Sequence, residues 1–152
     1  MKRFLVLLTA LLVYNMPSRA QSPEDSVKAA VNKLFQGMLK ADTAVLQSAF
    51  SQTAVLQTIV KSADGLYEVK EEKISEFIAS IGSLKEGDAD ERIQFEKILI
   101  DGPLAIAWTP YRFYYKGQFS HCGVNSFQLV RIHGTWKIQY IIDTRRKTGC
   151  AD

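Results

Sequence analysis

The sequence predicts an α+β fold: a curved antiparallel sheet of about six strands wrapped around three N-terminal helices. Three observations carry this. Apolar residues recur at helical spacing through the first half of the chain. The second half holds four long β-rich runs, Arg92–Asp101, Leu104–Tyr115, Phe119–Arg131 and Thr135–Asp143. Short Gly-containing joints separate them: Gly102-Pro103, Lys116-Gly117 and His133-Gly134. Joints of that kind are hairpin turns, so the runs form an antiparallel meander, with the helices covering one face.

The chain opens on a targeting signal. Lys2 and Arg3 precede an apolar run, Phe4 to Val13, then Pro17 and the small-x-small tripeptide Ser18-Arg19-Ala20. The run is about ten residues, half of the roughly twenty that span a bilayer. Cleavage is expected after Ala20. The expected organisation is a signal peptide at 1–20, one domain at 21–147 and a tail at 148–152. Periplasmic or secreted localisation follows, without stable membrane insertion after cleavage.

Ser22-Pro23-Glu24-Asp25 starts the first helix. Ser caps it, Pro suits the first helical turn, and the acids favour the positive end of the dipole. Val27, Val31, Leu34, Phe35, Met38 and Leu39 give its apolar stripe, ending near Lys40. Asp42 caps a short second helix that buries Leu46 and Phe50. Ala54–Val60 and Leu66–Val69 read as strands about the turn Lys61–Gly65. Ile74, Phe77, Ile78 and Ile81 mark a third helix, from about Glu71 to Ile81.

Composition narrows the function classes. The chain has 152 residues and is 47% apolar and 23% charged, one globular domain's worth. Nineteen basic and sixteen acidic residues give +3. Removing Lys2, Arg3 and Arg19 leaves a neutral chain, so nucleic-acid binding has no electrostatic support. Charge is uneven: residues 21–101 carry nine basic and fourteen acidic groups, residues 102–152 seven and two. Two His and two Cys, without metal-ligand spacing, argue against a metal site. No phosphate loop, dinucleotide fingerprint or Gly-x-Ser-x-Gly elbow occurs, so no cofactor is expected. Export permits a Cys122–Cys150 disulfide; two free thiols are the alternative.

Hairpin pairing then assigns faces. Two-residue turns at Lys116-Gly117 and His133-Gly134 place Arg112 opposite His121, Trp108 opposite Asn125 and Phe127 opposite Tyr140. On that register Leu104, Ile106, Phe127, Leu129 and Ile138 form the dry end of the core face. Trp108, Arg112, His121, Asn125 and Tyr140 form its mixed end, and Asp143 falls on the other face. Burying Arg, His and Asn is costly unless they pair or line a ligand cavity. These five are the candidate ligand contacts. Trp108 and Tyr140 can stack on a flat ring, and Asn125 can donate and accept at once. His121 can act as general base or as a structural hydrogen-bonding group, and Arg112 can hold an anion.

The order of elements resembles the nuclear transport factor 2-like superfamily, which includes ketosteroid isomerase, scytalone dehydratase and SnoaL-like cyclases. Phe119-Ser-His-Cys-Gly-Val-Asn-Ser-Phe-Gln-Leu-Val, Gly134-Thr-Trp-Lys-Ile and Asp143-Thr-Arg-Arg resemble an exported bacterial subgroup labelled putative lumazine-binding. The resemblance implies a cone open at one end, homodimers through the outer sheet face, and a pterin- or lumazine-like ligand. No Tyr–Asp–Asp set of the ketosteroid isomerase kind maps onto the predicted register. Three readings follow: an exported small-molecule-binding domain; an isomerase or dehydratase using His121 as base; and an interaction module with a filled cavity.

Overall fold

A computed structural model describes residues 22–151. The expected signal peptide at 1–20 lies outside the described residues. Helices α1 (Pro23–Leu39) and α2 (Thr43–Ala49) lead into strand β1 (Phe50–Lys61). Strand β2 (Tyr67–Glu72) and helix α3 (Ile74–Gly82) follow, then β3 (Ala89–Ile93), β4 (Lys97–Asp101), β5 (Leu104–Tyr115), β6 (Gln118–Ile132) and β7 (Thr135–Arg146). The expected α+β class holds, with three helices and seven strands among the described residues, in line with the expected sheet of about six.

The caps are those the sequence implies. The Ser22 hydroxyl accepts from the Asp25 amide at 3.0 Å, and Asp42 Oδ1 accepts from the Ala44 and Val45 amides at 3.0 Å. Gly37 lets the first two helices touch, because a Cβ there would sit 2.9 Å from the Leu46 side chain. Val27, Val31, Leu34 and Met38 on α1 pack with Leu46, Phe127, Leu129 and Ile138 in one buried core.

The sheet runs β2-β1-β7-β6-β5-β3, with β4 also paired to β5. All pairings are antiparallel except β1 with β7. The expected strand Arg92–Asp101 is broken into β3 and β4. The break lies opposite Pro110: Ile93 pairs with Tyr111, and pairing resumes at Lys97 with Trp108. Proline has no amide proton for the ladder, so its neighbour pairs only through the Pro110 carbonyl, which accepts from Gln94 N at 2.9 Å.

Two β-bulges correct the expected register. Tyr114 pairs with Phe119, but Phe113 pairs with His121, so Ser120 is an extra residue. Leu129 pairs with Ile138, but Gln128 pairs with Tyr140, so Gln139 is another. Each shift reverses side-chain parity beyond it. The inner row of β5 is therefore Ala105, Ala107, Thr109, Tyr111 and Phe113. Leu104, Ile106, Trp108 and Arg112 face outward. On β7 the reversal turns Tyr140 and Ile142 out and brings Ile141 and Asp143 in.

The second bulge has a visible cause. Phe50 pairs with Ile138 and Val55 with Tyr140, so four residues of β1 are passed over beside Gln139. The Gln139 amide fills that gap, donating to the Thr53 carbonyl at 3.0 Å while its Oε1 accepts from Ser51 Oγ at 2.7 Å. Cys122 and Cys150 form a disulfide that ties the tail to the outer side of β6. Arg112 Nε donates to the Ala151 carbonyl at 2.9 Å on the same side.

Candidate functional site

Between the helices and the concave sheet face lies a cavity of about 180 Å³. Its deep wall is apolar: Phe35, Phe50, Phe77, Phe113, Phe127 and Ile141. Its other end carries Glu72, Glu91, Tyr111, His121, Asn125 and Asp143, with Arg145 beside them. Among the described residues no group of three His, Cys, Asp or Glu is arranged to hold a metal.

Of the five sequence candidates, His121 and Asn125 line this cavity. Trp108, Arg112 and Tyr140 do not; the register correction places them on the outer face. Trp108 is 45% exposed there, and the Tyr140 hydroxyl donates to Gln57 Oε1 at 2.7 Å. Tyr111, Asp143 and Glu91 enter the site in their place. Tyr111 and Asp143 are one step along the strand from residues assigned inward from sequence. Glu91 lies just before the expected strand start at Arg92, and pairs with Phe113 as part of β3.

Asp143 is the centre of the polar end and is 6% exposed. Its Oδ2 accepts from the Tyr111 hydroxyl and from Arg145 Nε, each at 2.9 Å. Burial and the Asp143 charge push the Tyr111 hydroxyl far above its ordinary titration range, so it stays a donor. Burial disfavours the charged guanidinium of Arg145, but Asp143, with Tyr111 and Glu91, together outweigh it and the net shift is upward. Glycine permits the arrangement. Tyr111 lies across the ladder from Gly123, where a Cβ would meet the Thr144 carbonyl oxygen at 1.7 Å and the Tyr111 ring at 2.8 Å.

Asn125 sits beside Asp143 in the ladder, and its Nδ2 donates to Glu91 Oε1 at 2.8 Å. Burial raises Glu91 from 4.5 to about 7, with the Asn125 hydrogen bond opposing and the Asp143 charge assisting. Burial also raises Glu72, against the pull of Arg145. His121 packs edge-on to Tyr111 at 5.7 Å, and its Nδ1 lies 3.0 Å from Ser120 Oγ. Burial and then Arg145 lower its pKa, so the ring is neutral near pH 7.

One rung of the sheet is polar across four strands. Thr58 pairs with Asp143, Asp143 with Asn125, and Asn125 with Thr109. Among the described residues, the buried side-chain polar atoms without a hydrogen-bond partner are Thr58 Oγ1, Thr109 Oγ1 and Asp143 Oδ1. All three lie in that rung. Buried polar groups are otherwise nearly always paired, and an unpaired one costs about 1–3 kcal/mol. Of the three residues, Asp143 is the one that lines the cavity.

Helices over a curved, open sheet with a mixed cavity between them define a nuclear transport factor 2-like domain. Within that superfamily the chain belongs to the family described as "Putative lumazine-binding", which it matches over residues 22–140. Solved structures agree on the fold. A nuclear transport factor 2-like protein of unknown function from Shewanella baltica superposes with a TM-score of 0.63 at 17% identity, covering 82% of this chain and 94% of that one. One from Silicibacter pomeroyi gives 0.62 at 16%, covering 80% and 93%. A cystatin-like-fold domain from Nostoc punctiforme gives 0.62 at 16%, covering 83% and 78%. No curated protein matches the chain.

Proposed function

We propose that this is an exported binding domain whose cone holds a small ring-bearing molecule, apolar body inward and polar edge on the rung through Asp143 and Asn125. The carrying observation is Asp143 Oδ1, a buried carboxylate oxygen beside the cavity with no protein partner. The aromatic wall supports a flat ring system. The cavity, about 180 Å³, is below the roughly 300–1,000 Å³ of sites for drug-sized ligands, which points to one or two rings. The family description supports a lumazine-like molecule.

The same geometry revises the ligand's expected charge. With Arg112 on the outer face, the polar end holds three carboxyls against one guanidinium. An anion is disfavoured, and an N–H or O–H donor is favoured. His121 and Asn125 remain contacts; Trp108, Arg112 and Tyr140 are not part of this reading. An acid–base enzyme is the second reading, favoured by Glu91, a carboxyl with a near-neutral pKa in a cleft.

The basic, apolar and small-residue order of residues 1–20 supports export, and the Cys122–Cys150 disulfide fits an oxidising compartment. Among the described residues no helix is long and apolar enough to cross a membrane. Homodimerisation through the outer sheet face is supported by Leu99, Leu104, Ile106 and Trp108, exposed large apolar residues on that face. Native mass spectrometry of protein purified from its own host tests the binding reading. A co-purifying small molecule, lost in Asp143→Ala, is expected. Unliganded protein from the host, together with no thermal shift from a heterocycle panel, would refute it.

A further inference from the structure

Resting on the binding reading above, we infer that the cavity selects a cyclic amide or imide edge, an N–H beside a C=O. The N–H donates to Asp143 Oδ1, and the C=O accepts from Glu91 carrying its proton. Binding therefore takes up a proton at alkaline pH.

The argument is one of donor and acceptor matching. Asp143 Oδ2 is already served by Tyr111 and Arg145, so Oδ1 is the oxygen left to accept. Glu91 Oε1 is held by Asn125 Nδ2, which leaves Oε2 for a ligand. Asn125 stands between the two carboxyls, paired with Asp143 in the ladder and hydrogen-bonded to Glu91. Two charged carboxylates flanking one amide in a buried cleft repel each other, so one of them holds a proton more easily. Asp143 is the one with a guanidinium and a phenol on it. Glu91 is the one left to carry the proton, and burial already favours that state.

The charged and titratable groups lining the polar end are Asp143 and Arg145 from β7, Tyr111 from β5, His121 from β6 and Glu72 from β2. The helices contribute only apolar side chains to the cavity wall. A protonated Glu91 beside an accepting Asp143 presents one donor and one acceptor, the complement of an amide edge. An amidinium, with donors only, would require Glu91 to ionise. A carboxylate ligand would lack a partner for its second oxygen and would face Asp143.

The test titrates pteridine-2,4-dione and benzamidine into wild type, Glu91→Gln and Asp143→Asn by calorimetry at about pH 6 and about pH 8. For the dione, the ratio of wild-type to Glu91→Gln affinity should fall roughly tenfold between the two, since the Gln amide donates at either pH. Using the ratio cancels the probe's own ionisation. Asp143→Asn should weaken the dione at least tenfold at both. Measured in two buffers of different ionisation enthalpy, wild type should take up more protons on dione binding at the higher pH than Glu91→Gln does, the probe's own proton being common to both. Dione binding with no such uptake, or benzamidine binding that tightens with pH, overturns the amide-edge inference while the binding reading stands. No heat from either probe in wild type at either pH overturns the amide-edge inference, and the binding reading falls with it when the host protein is also unliganded and the heterocycle panel gives no thermal shift.

Discussion

Glu91 should make the fold less stable as pH rises, and Glu91→Gln should remove that dependence. The folded carboxyl titrates at about 7 against an ordinary 4.5. Below the ordinary value both states are protonated and the group is neutral in the balance. Between the two values the unfolded chain releases its proton and the folded chain keeps it, so stability falls by about 1.4 kcal/mol per pH unit. Above the folded value the loss is complete, about 3 kcal/mol. From about pH 5 to about pH 8 the expected loss is roughly 2.5 kcal/mol. Glu72, also raised, adds a loss in the same direction. His121, lowered, gives the opposite slope, because its stability contribution disappears as pH falls. Both are common to wild type and variant, so the difference between the two urea-unfolding series isolates Glu91. Parallel pH profiles for the two proteins would refute the claim that this carboxyl is buried and protonated in the folded state.

Three more outcomes follow from the same geometry. Replacing Cys122 and Cys150 by Ser opens a loop with a sequence separation of 28, and urea unfolding should show a loss of roughly 3–4 kcal/mol; thiol titration of the unreduced, denatured protein should find none free. Gly123→Ala drives a methyl into the Thr144 carbonyl and the Tyr111 ring, so equilibrium unfolding should register a loss above about 3 kcal/mol, while Gly87→Ala, with open space around it but a positive φ, should lose only about 1 kcal/mol. Trp108→Ala and Arg112→Ala should leave dione binding unchanged within about twofold, because the parity change puts both outside the cavity.

The fold was readable because its signals are local. A capped amphipathic helix, a Gly-containing two-residue turn and a β-rich run each declare themselves within a few residues. The hairpins at Lys116-Gly117 and His133-Gly134 are where the turn chemistry puts them, and all four residues have positive φ. The break at Pro110 is also local, because a proline mid-strand says that one ladder amide is missing. Its consequence, one expected strand becoming β3 and β4, follows from the same residue.

The site was hidden because parity is a sum along the chain. One extra residue at Ser120 reverses every inward assignment on one side of it, and Gln139 does so again on β7. Neither residue is a Gly or a Pro. The Gln139 bulge answers an irregularity in β1, more than eighty residues earlier in sequence, and no local pattern encodes that. The hydrophobic alternation pointed the other way. Leu104, Ile106 and Trp108 are more apolar than Ala105, Ala107 and Thr109, so the larger set was assigned to the core. The structure buries the small set, where helices and cavity leave little room, and leaves the large set 38–46% exposed.

This also shows which residue carried the decisive information. On the expected register, Asn125 was inward for the right reason, but its partner was Trp108 and the site was a cationic, aromatic hollow. On the observed register the same Asn125 pairs with Asp143 and Thr109 and bonds Glu91, and the hollow becomes acidic. A change of one residue in alignment thus turns a hollow whose guanidinium would draw an anion into one whose carboxyls oppose it. Asn125 and His121 face inward on either register; the Asn125 amide serves both surroundings, donating to a carboxyl here where it would have read a ring edge there. Whether an anionic probe is accepted or refused is therefore a test of the strand register.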